Sequence, residues 1–267
     1  MANADLAFTG SVPELYTRYM GPMLFEPFAE YIALRVETMA VGDVLETACG
    51  TGIVSRSLRR RLPEQVKIIA TDLNQAMLDH AKTLSKGQQI GWQQADAQAL
   101  PFPDAAFDAV VCAFGAMFFP DKEKAYREAM RVLRPGGRFL FAVWDKLEAM
   151  ELQLIAHNTV AALYPQNPPD FFRRTPSGYH DITTIRADLA KAEIDNADIE
   201  TVELTGQIAS ARDAAIGYVQ GTPLSAEITA RDPTGLDRAV DAVTEAITAS
   251  FGAGPIRARM QAHVITA

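Results

Sequence analysis

Two cysteines in 267 residues, Cys49 and Cys112, are too few for a disulfide framework, and neither has a CxxC partner. The four histidines form no HxH or HxxxH pair, and no paired-carboxylate cluster stands near them, so a metal site is not expected. Long apolar runs are missing as well. Nowhere do eighteen uncharged apolar residues follow one another, which excludes a membrane-spanning helix. The opening stretch MANADLAFTGSVPELY has neither a basic n-region nor an apolar h-region, and no export signal is recognisable in it. Positive charge is in short supply, with 25 basic against 33 acidic residues and a net charge of −8, which opposes an extended phosphate-neutralising surface. No repeat or low-complexity tract interrupts the chain. These absences predict a soluble, cytoplasmic protein that does not bind nucleic acid. Its 48% hydrophobic content is enough for one large domain or a domain with a cap.

What is present has a βαβ rhythm. From 43 to 145 short apolar runs alternate with amphipathic segments, the signature of a parallel sheet. DVLETA, VKIIATD, IGWQQAD, FDAVVCAF and RFLFAVW read as strands. IVSRSLRRRL is the first helix, Asn74 caps a second with Met77, Ala81 and Leu84 on one side, and Asp121 caps a third whose core face is Ala125, Ala129 and Val132. RPGG at 134 to 137 is expected to stop that third helix. Beyond 150 the pattern gives a helix to about 163, a proline-rich loop, a helix over TTIRADLAKAEI, a strand at 198 to 206, two helical stretches near 210 to 220 and 235 to 250, and a final strand in MQAHVITA. RSLRRRL, the one basic run, lies on a helix among core leucines and reads as a solvated face.

The chemistry concentrates in VLETACGTGIVSRSL, where a strand enters a helix through Ala48-Cys49-Gly50-Thr51-Gly52. A side-chain-poor turn there lets a ligand meet the backbone and the positive end of the helix. Dinucleotides and S-adenosylmethionine both use this arrangement. The dinucleotide fingerprint asks for glycine or alanine three positions after its second glycine, and this chain has Ser55. No tyrosine has a lysine four residues on, as a short-chain reductase requires.

VLETACGTG, IIATDLNQAML, QQADAQALPFPDAAFDAVVCAFGAMFF and VLRPGGRFLFAVW, in this order, resemble the class I S-adenosylmethionine-dependent methyltransferases, in particular the ubiquinone and menaquinone biosynthesis methylase branch. The likeness covers about 40 to 145. It implies a Rossmann-like, doubly wound α/β fold with a seven-stranded sheet, mostly parallel with the last strand antiparallel, and helical cap insertions. A single domain over 1 to 267 is expected, with its cofactor-binding core at 40 to 145 and caps at 1 to 39, 148 to 182 and 207 to 256. The resemblance implies S-adenosyl-L-methionine as cofactor, with S-adenosyl-L-homocysteine as product. Its binding set is Tyr19, Glu46, Ala48, Gly50, Gly52, Asp72, Leu73, Met77, Asp96, Ala97 and Phe114. Asp72 has two oxygens to offer the ribose hydroxyls, and Asp96 and the Ala97 amide are placed for the adenine. Ala48 stands where the family usually has glycine, and Glu46 where aspartate is common.

A sulfonium methyl is already activated, so in-line displacement needs no metal, and needs a base only if the acceptor carries a proton of high pKa. His180, in the loop SGYHD, is the candidate base. Tyr16, Met117, Phe118, Phe171 and Tyr179, with Met20 and Phe172 beside them, are apolar walls for a small hydrophobic or aromatic acceptor. NPPDF at 167 to 171 resembles a loop of amino-group DNA methylases but follows the fifth strand instead of the fourth. Two other readings stay open: a nucleotide-dependent oxidoreductase, and a regulator that binds the cofactor without turnover. Oligomeric state is not legible.

Overall fold

A computed structural model of the chain describes residues 10, 12–39 and 41–267. A seven-stranded sheet runs in the order β3-β2-β1-β4-β5-β7-β6, from β1 (Asp43–Glu46), β2 (Lys67–Asp72), β3 (Gly91–Gln94), β4 (Phe107–Ala113), β5 (Leu133–Trp144), β6 (Asp198–Ile208) and β7 (Ile256–Thr266). β1 to β5 pair in parallel, and β7 pairs antiparallel with β5, Leu140 opposite Thr266 and Trp144 opposite Ala262. The expected α/β class, strand number and antiparallel last strand are all present. None of the described helices is long and apolar enough to cross a membrane.

By contacts the chain divides into two compact units. The larger is Phe28–Trp144, Tyr179–Val202 and Ala262–Ala267. It holds β1 to β5 with α2 (Glu26–Glu37, from Phe28 on), α3 (Ile53–Arg61), α4 (Gln75–Leu84), α5 (Lys122–Val132) and α8 (Ile182–Lys191). Its core follows the apolar runs: Val110, Val111, Leu140 and Phe141 are fully buried in the central strands, as strands covered on both faces must be. Asn74 caps α4 by accepting from the Ala76 and Met77 amides, Asp121 caps α5 through Lys124 N, and Asp181 caps α8 through Thr184 N.

The smaller unit is Met1–Pro27, Asp145–Gly178 and Glu203–Gln261. It begins with α1 (Val12–Leu15) and a π-helical run, Tyr16–Phe25, and includes α6 (Glu151–Leu163), α7 (Phe171–Arg174), α9 (Ala211–Gln220), α10 (Leu224–Arg231) and α11 (Leu236–Phe251). α9 packs on α11, with Ala239, Val240, Val243 and Ile247 buried on one stripe of α11. Phe172 sits edge-on to Tyr218, ring centroids 5.6 Å apart.

Two expectations need correction. RPGG does not itself stop the third helix. α5 ends at Val132 and β5 already starts at Leu133, which pairs with Phe107 before the register shifts. Gly136 takes φ +82° within this irregular stretch, and a Cβ on Gly137 would lie 3.0 Å from the carbonyl oxygens of Arg134 and Asp108. Leu84 is 41% exposed and does not share the buried face of Met77 and Ala81. The arginine run lies on the solvent-facing side of α3 and is also paired: Arg60 and Arg61 bond Glu30, Arg61 also reaches Glu37, and Arg59 donates to the carbonyls of Val66, Leu62 and Pro63.

Candidate cofactor cradle and active site

β1 lies between β2 and β4, so the chain first winds to one side of β1 and then returns to the other. Ligands of open α/β sheets bind where the winding reverses, beyond the carboxyl ends of the strands. The tips of β1 and β4 touch: a Cβ on Gly115 would come within 2.4 Å of the Ala48 Cβ.

The turn after β1 is built from backbone. Ala48, Gly50 and Gly52 have φ of 51°, 54° and 73°, alternating with residues of ordinary sign, the kind of backbone that turns successive N–H groups into one concavity. Ala48 carries a Cβ in a conformation that disfavours it, and Phe114, at the tip of β4, has φ 57°. Two of the four described non-glycine residues with positive φ thus sit on these neighbouring strand tips, the others being Ala105 and Glu193. Cys49 N bonds the Thr71 carbonyl at 2.9 Å, Thr47 N the Val111 carbonyl at 2.8 Å, and Phe114 N the Ala142 carbonyl at 2.8 Å. The turn is thereby tied to β2 and β4, and the tip of β4 to β5.

Asp72, at the end of β2, accepts from Gly50 N at 2.7 Å through Oδ2 and from Asn74 N at 2.8 Å through Oδ1. Each oxygen keeps a lone pair beyond these bonds. Burial pushes its pKa above the usual carboxylate range, against the lowering effect of the two amides. Glu46 is 1% exposed and accepts from the Ser55 hydroxyl on α3. Burial pushes its carboxyl up to about 8, with Ser55 and Arg56 opposing and Asp72 adding. Ser55 thus occupies the position that a dinucleotide fold gives to glycine or alanine, and its hydroxyl is used inward. The Thr51 hydroxyl is buried without a partner.

The raised Glu46 pKa has a consequence for stability. The folded chain keeps a proton that the unfolded chain releases near pH 4.5, so the stability this confers is complete below that pH and is lost as pH rises through about 8. Glu46→Gln is expected to flatten that slope by about 1 kcal/mol or more between roughly pH 5 and pH 8.5, because one unit of acidity shift is worth about 1.4 kcal/mol. Urea unfolding at the two pH values checks it, and parallel slopes for both proteins would contradict the assignment.

The other expected cofactor residues fall into different settings. Met77 is buried, its Cε 3.7 Å from where a Gly50 Cβ would be, and Leu73 is 55% exposed beside it in sequence. Asp96 is half-buried, with Oδ1 accepting from the amide of Gln98 at 2.9 Å and from its side chain at 3.1 Å. Gln98 Oε1 in turn accepts from Asp121 N. Ala97 is half-buried between them. The Phe114 ring is stacked on Trp144, centroids 3.7 Å apart, and set edge-on to Phe28 at 5.4 Å, so it is part of an aromatic cluster. Tyr19 belongs to the smaller unit, with Arg18 over its ring at 5.1 Å, and is not among the groups that build the β1–β4 turn.

Of the expected acceptor walls, Met117 and Phe118 lie in the 3-10 turn Ala116–Phe118 after β4, Met117 buried and Phe118 half-buried. Tyr179, in the larger unit, is buried, with Tyr126 donating to its hydroxyl at 3.2 Å, while it donates to Asp188 at 3.1 Å and carries Lys122 Nζ 4.5 Å over its ring. Tyr16 and Phe171 are in the smaller unit: Tyr16 stacks on Phe25, and Phe171 is 2% exposed in the core beside Phe172. His180 is half-buried next to Asp181, the residue that caps α8. The NPPDF loop is held to α10: Glu227 accepts from Asp170 N and from Arg174, and Arg231 donates to the Asn167 carbonyl at 2.7 Å. Both cysteines are buried, and desolvation pushes Cys112 up to about 12 and Cys49 well above the ordinary thiol range, so neither is poised as a nucleophile.

Sequence reasoning missed Ser55 as the partner of Glu46, Gln98 as the link from Asp96 to α5, and Trp144 under Phe114. Ser55 carried a usable signal. A small hydroxyl at the first turn of a helix, facing a strand that ends in a buried acid, has few other uses.

Residues 45–141 match the family model described as methyltransferase domain, and the fold around this segment is the Rossmann-like fold of class I methyltransferases. Over 111 residues the chain is 40% identical to the ubiquinone/menaquinone biosynthesis C-methyltransferase UbiE of Hahella chejuensis. That alignment takes in 40% of this chain and 45% of the other, so the chain spans less than half the length of the curated relative it matches. Among solved structures, the YcgJ protein from Bacillus subtilis matches 90% of this chain and 97% of its own, with a TM-score of 0.55 at 20% identity. The [4+2]-cyclase SpnF matches 91% and 80%, with a TM-score of 0.54 at 18% identity.

Proposed function

We propose that this protein transfers the methyl group of S-adenosylmethionine to a small hydrophobic or aromatic acceptor. The observation that carries the reading is the carboxylate of Asp72, which leaves β2, holds the Gly50 amide of the β1 turn and still has acceptor capacity on both oxygens. The residues present fit the cofactor. Two carboxyls whose pKa is raised, the buried Glu46 and the half-buried Asp72, lie in electrostatic reach of each other and would be relieved by a nearby cation. The Thr51 hydroxyl has an unused valence, and the Ala48–Gly52 backbone forms a concavity that larger side chains would fill. Glu46 and the backbone of Ala48, Gly50 and Gly52 would face the methionine moiety, Asp72 the ribose, Leu73, Met77, Asp96 and Ala97 the adenine, and the Phe114 backbone the methionine end.

When bound, the cofactor supplies a methyl group on a positively charged sulfur, already activated for displacement. The chain's part is then to hold the acceptor's lone pair in line and to keep water out, which is worth on the order of 7 kcal/mol or more in favourable cases. Met117 and Phe118, on the turn that follows β4, are suited to the second task. His180 is the candidate for taking a proton from an acceptor hydroxyl. The neutralised arginines of α3 and the acidic balance favour a small molecule over nucleic acid, and a cytoplasmic setting accords with two buried thiols.

The test is methyl transfer from labelled cofactor to a panel of phenols, quinols and amines. Labelled product with at least one acceptor is expected. His180→Gln should slow transfer to a phenolic acceptor and leave transfer to an amine unchanged. Tight cofactor binding with no product across the panel would favour a regulator. Because SpnF shares the fold, the readout must be label in the product and not mere consumption of the acceptor.

A further inference from the structure

The smaller unit contains a cavity of about 560 Å3, lined by Arg18, Tyr19, Pro22, Gln207, Asp213 and Arg257 among others, all from this unit. That volume is in the range of small-molecule sites. Among the described residues, twelve arginines from Arg35 to Arg259 stand in ion pairs. Arg18 and Arg257 have no carboxylate partner among the described residues, yet they come to one cavity from the π-helical run and from β7. The one acid in the lining, Asp213, is engaged in the first turn of α9, its Oδ2 accepting from Ser210 Oγ at 2.8 Å. Arg18 lies 5.1 Å over the Tyr19 ring, which fixes an aromatic face at the wall, and Pro22 and Pro255 add apolar surface. Gln207, at the end of β6, contributes both donor and acceptor.

We propose that this cavity is a binding site for a planar organic anion, an aromatic carboxylate held by Arg18 and Arg257 with its ring against Tyr19 and Pro22. Guanidinium groups match a carboxylate's two oxygens, and Tyr19 with Pro22 offers the ring an apolar wall. The site uses none of the groups of the β1–β4 turn, so it stands whether or not the chain transfers methyl groups.

The experiment is calorimetric titration of the full chain with 2-naphthoate, and with neutral 2-naphthamide as the uncharged equivalent. Saturable one-site binding of naphthoate is expected, with naphthamide at least about tenfold weaker, since a hydrogen bond to a charged group is worth that much. Arg18→Gln and Arg257→Gln should each weaken naphthoate by about tenfold, and the double variant should abolish saturation while its circular dichroism stays that of the parent. Equal affinity for acid and amide, undiminished binding in the double variant, or no saturation by naphthoate would each overturn the proposal. The ligand comparison uses the unaltered chain, so it decides the matter even if a variant misfolds.

Discussion

Gly52→Ala is expected to lower the stability of the chain by about 2–4 kcal/mol. Gly52 stands at the N-terminus of α3 with φ 73° and ψ 29°, the left-handed region that costs a residue with a Cβ about 1–2 kcal/mol. The new methyl would also lie 2.5 Å from the end of the Trp92 indole and 3.2 Å from the Ala81 Cβ. Overpacking of this kind costs about 1–3 kcal/mol, and the half-buried indole on β3 gives way in part, which sets the total in the stated range. The denaturant midpoint measures it. A loss under about 0.5 kcal/mol would mean that the turn can be redrawn without Gly52, and that the left-handed backbone is not imposed by its surroundings.

Asp72→Ala is expected to weaken S-adenosylmethionine binding by about 1–3 kcal/mol, or about 5- to 150-fold in Kd, as loss of one partner of a buried polar contact does. The same change leaves the amides of Gly50 and Asn74 without their acceptor, so the unliganded protein should also lose stability. Asp72→Asn separates the two effects. It keeps one carbonyl oxygen for the turn but offers the ribose a single acceptor, so its fold should be nearer to the parent than its affinity is. Isothermal titration gives the affinity and urea unfolding the stability. If Asp72→Ala bound the cofactor as tightly as the parent, the carboxylate would be a structural clamp of the turn and nothing more.

Much of the cradle was legible in the sequence because its parts are local. β1, β2 and β4 are short apolar runs, α3 and α5 have an apolar face at helical spacing, and Asn74 and Asp121 cap through contacts two or three residues away. The order of these pieces fixes the reversal of winding, and so the end of the sheet where a ligand is met. What stayed hidden depends on residues distant in the chain. RPGG reads as a stop signal, but pairing of Leu133 with Phe107 draws it into β5. α10 was missed because its helical stretch, LSAEITAR, is short and starts directly after Pro223. Leu84 fits the helical period of α4 yet falls in its last turn, where the neighbouring elements no longer cover it. Phe114 reads as a pocket residue from its place at a strand tip, and only the fold shows Trp144 and Phe28 against its ring. Phe171, in a proline-rich loop, reads as a cap residue, and burial in the smaller unit makes it core.

The most direct measurement on the β1–β4 cradle is a calorimetric titration of the unaltered chain with S-adenosylmethionine, set beside the same titration with NADH. One-site binding of S-adenosylmethionine, and of its demethylated product, with no heat from NADH is the expected result. Saturable binding of NADH, with neither sulfur nucleoside taken up, would contradict the assignment.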